Sequence, residues 1–240
     1  MGKTVGIMQP YFLPYLGYFQ LMSLVDEFVL YDNIQYTKKG WINRNNYLSN
    51  GNAQLFSIPL KKDSDYLHVH QRVLADSFFI TERPKLIRTI KGLYKKAPQF
   101  MEVMPLIEAI LSFEESNLFK FIYNSILRIN QYLSIETSLV VSSDLNIDHS
   151  LKSQDKVIAI CKALNAQQYI NPIGGVALYD PGVFLHNGLK LGFLKMNAFT
   201  YDQFKNSYVP NLSILDVLMF NDLEEVQRLL FNEFELQYEI

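Results

Sequence analysis

The sequence predicts an α/β fold: a Rossmann-like, mainly parallel sheet with helices on both faces and a helical insert at about 81–133, in one domain spanning residues 1–240. Two observations predict the sheet, a β-α-β pattern in the first thirty residues and another after residue 137. A third, fifty residues of helical periodicity with little glycine, predicts the insert.

The first pattern opens with the apolar run Val5-Gly6-Ile7-Met8, which ends in a Gln9-Pro10 turn. A helix over about 14–24 and a strand over 27–32, ending in Asp32, complete the unit. Asn33 to Asn52 is rich in Asn, Lys and Gly, and Ser49-Asn50-Gly51-Asn52 is a turn signal ahead of the apolar run Gln54 to Leu60. Residues 33–60 therefore read as a loop and hairpin. The alternation in His68-Val69-His70-Gln71-Arg72-Val73-Leu74 predicts a strand. From Thr81 the period changes, with Leu86, Ile87, Ile90, Leu93 and Tyr94 at helical spacing behind Pro84, and Ala97-Pro98 ends that helix. Helices over about 99–113 and 115–132 follow.

The second unit starts at Thr137 to Ser142, a strand ending in Ser142-Ser143-Asp144. A helix over about 153–164 buries Val157, Ile158, Ile160, Cys161 and Leu164, and a strand over 168–171 runs into Asn171-Pro172-Ile173-Gly174-Gly175. A strand near 189–195 and helices near 212–219 and 222–231 close the chain.

Composition narrows the class. Apolar residues make up 49 % of the chain, enough for a substantial core. Charge is nearly balanced, 22 basic against 24 acidic residues, so no electrostatic nucleic-acid footprint is expected. The single cysteine, Cys161, excludes an intramolecular disulfide framework and suits a reducing interior. No export signal leads the sequence, and its apolar runs are too short to span a bilayer. The expectation is a cytoplasmic protein without an integral membrane segment.

In open parallel sheets, ligands settle beyond the carboxyl ends of the strands. That rule nominates Gln9, Asp32, Ser142 and the Asn171 to Gly175 turn together. The densest polar set is the loop Asp32 to Asn45, which holds one carboxylate, two lysines, one arginine, four side-chain amides and the only Trp. There Asp32 is a candidate base, Lys39 and Arg44 suit a phosphate or carboxylate, Gln35 and Asn43 suit hydroxyls, and Trp41 offers a ring face. A solvated loop whose Trp closes a core is the alternative. Adjacent Gly174 and Gly175 permit positive φ and close backbone approach to an anion or sugar, and a plain tight turn equally. Ser142 adds a hydroxyl, although Ser-Ser-Asp is also an ordinary helix entry. His68 and His70 would share a strand face, but His149 and His186 stand alone, so no metal site is predicted. Cys161 reads as a buried helix position rather than a nucleophile.

Pro14-Tyr15-Leu16-Gly17-Tyr18 invites comparison with the His-x-Gly-His signature of nucleotidyl-transferring enzymes. The spacing from the strand to Gly17 is similar, but Tyr15 and Tyr18 replace both histidines. A phenol donates a hydrogen bond without an imidazolium's charge. The other reading is an aromatic helix packed on the sheet.

Several motifs together resemble the WbqC-like proteins of bacteria. They are Gln9 to Tyr18, the loop with Lys39-x-Trp41-x-Asn43-Arg44-Asn45, Tyr94-Lys95-Lys96-Ala97-Pro98, Ser142-Ser143, and Tyr169 to Gly175. Asn33 stands where a second acidic residue is expected. The resemblance implies a place in gene clusters for O-antigen and other surface polysaccharides. It thereby implies a cytoplasmic step on a nucleotide- or lipid-linked sugar and fixes no reaction or cofactor; the first reading of the residues is a transferase, with no cofactor evident other than a nucleotide-linked donor. Two alternatives stay open: a non-catalytic nucleotide- or sugar-binding protein, and an acyl or aminoacyl transferase acting on an amino sugar. On the first reading Tyr18 and Trp41 stack on the ligand, and Asn171 and Gly174 line the far wall.

Overall fold

Apolar runs too short for helices form the strands of a computed structural model that describes residues 2–205 and 207–238. Strand β1 (Thr4–Met8), helix α1 (Leu16–Leu24) and strand β2 (Glu27–Leu30) make the first unit. Strands β3 (Arg44–Ser49) and β4 (Asn52–Ser57) form a separate antiparallel hairpin. Its two-residue turn, Asn50-Gly51, has both φ angles positive, as the Asn-Gly signal requires.

Helices α2 (Arg83–Tyr94), α3 (Phe100–Leu111) and α4 (Leu118–Leu133) follow. Pro84 occupies the first turn of α2, and the Asn117 side chain caps α4 by accepting from the Lys120 N–H. Strand β5 (Ser138–Val141), helix α5 (Ser153–Ala163) and strand β6 (Gln168–Pro172) are the second unit. Helix α6 (Pro181–His186), strand β7 (Lys190–Met196), helices α7 (Ile214–Phe220) and α8 (Leu223–Asn232), and strand β8 (Phe234–Tyr238) complete the described chain.

The main sheet runs β5-β2-β1-β6-β7-β8, and every pairing is parallel except β7 with β8. From β1 the chain works outward through β2 and β5, then returns to the other side of β1 and works outward through β6 and β7. The winding therefore reverses between β1 and β6, which opens a crevice at their carboxyl ends. Side chains alternate across the sheet. Val5, Ile7, Val29, Tyr169, Leu191 and Phe193 pack on α5 and α6, whereas Phe28, Leu30, Ile170 and Leu194 face α1, α7, α8 and the three inserted helices. Both faces are covered, as a Rossmann-like sheet requires.

One local expectation is corrected, and two elements are additional. The predicted strand at His68 to Leu74 is instead a single 3₁₀ turn, Val69–Gln71, closed by Gln71 Oε1 accepting from the His68 N–H at 2.9 Å. Neighbouring segments meet it only through isolated bridges, so alternation there reflects one-sided burial. Helix α6 and edge strand β8 were not anticipated. The Asp180 cap and Pro181 start of α6 are a legible signal in the sequence. Among the described residues no helix is long and apolar enough to cross a membrane.

Candidate functional site

The parallel pairing of β2 with β5 sets the ends of both strands side by side and brings Asp32 against Ser143. Asp32 is 1 % exposed. Its Oδ1 accepts the Ser143 N–H at 2.9 Å, and its Oδ2 accepts the Ser143 hydroxyl at 2.7 Å. From the other side comes His70, whose N–H donates to the Asp32 carbonyl at 3.1 Å. His70 Nδ1 lies 3.3 Å from Asp32 Oδ2 and 3.2 Å from the Asp32 carbonyl oxygen. Two oxygen acceptors assign the proton to Nδ1, so Nε2 is left with its lone pair or second proton for another partner.

Asn33 extends the network. Its Oδ1 accepts from the Ser142 hydroxyl at 3.0 Å, and its Nδ2 donates to His149 Nδ1 at 2.9 Å. His149 Nε2 stands 3.0 Å from the Leu145 carbonyl, which assigns its proton to Nε2 and makes Nδ1 the acceptor. Lys156 Nζ reaches the same Nδ1 at 2.9 Å and the Asp148 carbonyl at 3.4 Å. The Lys156 side chain is buried, and among the described residues no carboxylate lies within ion-pair distance of it. Burial holds its amine below the usual lysine range, with the Asp148 charge opposing. His149, read from sequence as isolated, is thus the hub between β2 and α5.

Across the sheet, the Tyr169 hydroxyl donates to Asn171 Oδ1 at 3.0 Å and lies 3.1 Å from the Tyr179 hydroxyl. Asn171 Nδ2 donates to the Pro172 carbonyl. Gly174 and Gly175 belong to a 3₁₀ stretch, Ile173–Leu178, and neither uses the positive φ that glycine permits. Gly175 is required for another reason: a Cβ there would stand 1.9 Å from Asn171 Nδ2. Gly174 has open space around it.

The loop after Asp32 divides its predicted residues into two groups. Lys39, Trp41 and Arg44 gather at its tip, where Gly40 N–H donates to the Thr37 carbonyl at 3.0 Å. The Arg44 guanidinium lies 5.6 Å from the Trp41 ring and donates to the Lys39 carbonyl, so these contacts close on one another rather than on Asp32. Lys39 and Trp41 remain exposed. Asn43 is buried and its amide is held at both ends, accepting from the Tyr36 hydroxyl at 2.9 Å and donating to the Ile58 carbonyl at 2.7 Å. Gln35 donates to the Asp65 carbonyl at 2.9 Å.

Of the opening segment, only Gln9 keeps an exposed side chain. Tyr18 is 0 % exposed, donates weakly to the Gln9 carbonyl at 3.4 Å, and meets Tyr11 and Phe28 edge-on at 5.2 and 5.1 Å. With no free ring face it belongs to the core, a correction to the stacking role expected for it. Tyr15 is half-buried and lies back over Gly17, where a Cβ would meet its ring at 2.6 Å. Gly17 therefore makes room for a tyrosine of its own segment. Burial raises the phenol pKa of both Tyr15 and Tyr18.

Sequence reasoning did not join Ser143, His70, His149 and Lys156 into one cluster. Ser143 carried the strand-end signal of Ser142-Ser143-Asp144, and Lys156 a second one, since it stands four residues before Ile160 on the apolar stripe of α5.

Comparisons with known proteins bring no assigned chemistry. No solved structure matches the chain. The uncharacterized protein Rv1507c of Mycobacterium tuberculosis is 28 % identical over 222 residues, covering 91 % of this chain and 94 % of that protein. The family model described as the WbqC-like protein family matches residues 9–228, and so the chain belongs to the WbqC-like family.

Proposed function

We propose that the chain is a transferase of surface-polysaccharide biosynthesis that acts on a nucleotide- or lipid-linked sugar, with His70 as general base. The observation that carries this reading is the Asp32–His70 pair at the end of β2. Asp32 cannot itself serve easily as base, because Ser143 occupies both its oxygens and it is buried. It can orient an imidazole and stabilise the imidazolium that forms. In the reaction, His70 Nε2 takes the proton of an acceptor hydroxyl or amine while that oxygen or nitrogen attacks the activated donor. The bond from donor to its leaving group breaks, and the leaving group departs with the bonding pair. Asn33, Ser142 and Asn171 supply polar edges near the strand ends, and Gln9 an exposed amide after β1.

The test is a panel of nucleotide-linked sugars screened by thermal shift, followed by turnover assays on those that bind. Turnover by the wild type and its loss in His70→Gln are expected. Tight binding of a sugar nucleotide with no turnover under any acceptor would favour a binding protein instead.

A further inference from the structure

We propose that a cavity of about 470 Å³ beside the 60–65 segment is a phosphate-binding subsite whose cations are Arg72 and Lys62. Arg72 lines this cavity although its residue surface is only 4 % exposed. Its guanidinium is fixed before any ligand arrives. One Nη donates to the Ser64 carbonyl at 3.0 Å, the other to the Lys61 carbonyl at 3.1 Å, and the group lies 4.8 Å from the centre of the Tyr36 ring. Carbonyl oxygens and a ring face satisfy N–H groups, but they do not neutralise a formal charge. Among the described residues no carboxylate is within ion-pair distance of Arg72, and its buried Nε–H has no acceptor. An almost wholly buried cation with a donor left over is a group prepared for an anion.

The neighbouring charges sharpen the choice of anion. Lys38 is paired with Asp65 at 2.8 Å and Lys61 with Asp76 at 3.0 Å, while Asp63 accepts the Ser64 N–H at 2.7 Å and keeps its charge. Lys62 is exposed and has no such partner among the described residues. Arg72 and Lys62 are thus the lining cations without a carboxylate within ion-pair distance among the described residues, set against the single unpaired charge of Asp63. A phosphoryl group, with up to two charges and more acceptor oxygens than a carboxylate, can meet both cations at once. The cavity also shares a ladder with the proposed base. Tyr36 N–H donates to the Leu67 carbonyl and Val69 N–H to the Ile34 carbonyl, so the segment that leaves Asp32 for Tyr36 runs alongside the one that leads to His70. That the phosphate is a donor's rests on the transferase reading; the anion site itself does not.

Calorimetric titration of the full chain with sodium pyrophosphate, sodium acetate and uridine diphosphate tests the proposal. Pyrophosphate and uridine diphosphate are expected to bind, and acetate at equal ionic strength is not. Lys62→Gln, on the surface, is expected to weaken pyrophosphate about 10-fold, the value of one charge-assisted hydrogen bond, and Arg72→Gln to abolish binding. Should Arg72→Gln fail to fold, Lys62→Gln still decides. Absence of pyrophosphate binding at millimolar concentration, or unchanged binding by Lys62→Gln, overturns the subsite. His70→Gln separates the two readings: it should leave pyrophosphate binding intact. Turnover that survives in His70→Gln removes the base and leaves the subsite standing.

Discussion

His70 Nδ1 sits between two oxygens of a single residue, 3.3 Å from the Asp32 carboxylate and 3.2 Å from the Asp32 carbonyl. That double contact holds the imidazole by one nitrogen and turns the other away, which is the arrangement of an oriented base rather than of a core histidine satisfied on both sides. Asp32→Asn keeps the shape and the Ser143 contact to one oxygen but removes the charge that stabilises an imidazolium. The expected result is a kcat lower by about 100- to 10,000-fold with KM nearly unchanged. A purely structural Asp32 would instead lower the melting temperature and leave kcat per folded molecule as it was. Steady-state kinetics and a thermal melt on the same preparation separate the two.

Lys156 bears on stability. Its folded pKa is depressed, first by burial, so the fold prefers the neutral amine. A depressed amine contributes stability that is present above the unfolded lysine pKa and lost as pH falls through the folded one. At neutral pH the protonated form is thus a burden. Lys156→Met, which fills the same volume without charge, is expected to raise stability at pH 7 by about 1–4 kcal/mol, the range found when buried charges give way to apolar groups. The gap should narrow as pH approaches the ordinary lysine value of 10.5. Chemical denaturation at pH 7 and pH 10 measures it, and a variant less stable at both pH values would show that the His149 contact outweighs the burial.

The sheet was legible because its signals are local. Val5-Gly6-Ile7 and Phe28-Val29-Leu30 are continuous apolar runs, as strands covered on both faces must be, and Asn50-Gly51 specifies its own turn. Asp32 was legible by position, since a polar residue directly after a buried parallel strand falls at the ligand edge. Its partner was not. His70 reaches Asp32 across 38 residues, through a 3₁₀ turn and isolated bridges that leave no period in the sequence. Tyr18 misled for a different reason: an aromatic with a polar tip looks alike in a core and in a pocket until its neighbours are known. Arg44 likewise carries the residue type for an anion, but the fold gives its guanidinium to the Lys39 carbonyl and the Trp41 ring.

Asp216 supplies a pH dependence of opposite sign. The carboxylate is buried and accepts from the hydroxyls of Tyr94 and Tyr201 and from Gln203 Nε2, each at 2.7 Å. Burial raises its pKa, and the three hydrogen bonds oppose that only in part. Because the folded pKa lies above the unfolded value of 3.8, the group's stabilising contribution is present below about pH 4 and is lost as pH rises through the folded value. The stability difference between wild type and Asp216→Asn should therefore move in favour of Asn from pH 4 to pH 7. Tyr94→Phe removes one donor to Asp216 and leaves the Leu48 N–H without its acceptor, with an expected cost of about 1–3 kcal/mol. Denaturant melts across this pH range test both, and a flat difference would place the carboxyl in a better-solvated setting.

Gly174 and Gly175 are neighbours with opposite demands, and a pair of alanine variants separates them. Around Gly174 a Cβ meets nothing within 4 Å, and the residue is exposed with no positive φ to preserve. Gly174→Ala is expected to change stability by no more than about 0.5 kcal/mol. At Gly175 the same methyl would stand 1.9 Å from Asn171 Nδ2 and 3.2 Å from its Cγ. The Asn171 side chain cannot yield freely, because its Oδ1 holds the Tyr169 hydroxyl and its Nδ2 the Pro172 carbonyl. Tyr169 is itself stacked on Phe184 at 5.7 Å in the core beneath α5 and α6. Gly175→Ala should therefore cost about 1–3 kcal/mol, typical of forcing a methyl into an occupied site. If Asn171 also faces a ligand, the same variant weakens binding while Gly174→Ala does not. Equal behaviour of the two variants, in denaturant melts and in binding, would mean that Asn171 adopts another rotamer at little cost and that its bond to Tyr169 does not hold the end of β6 in place.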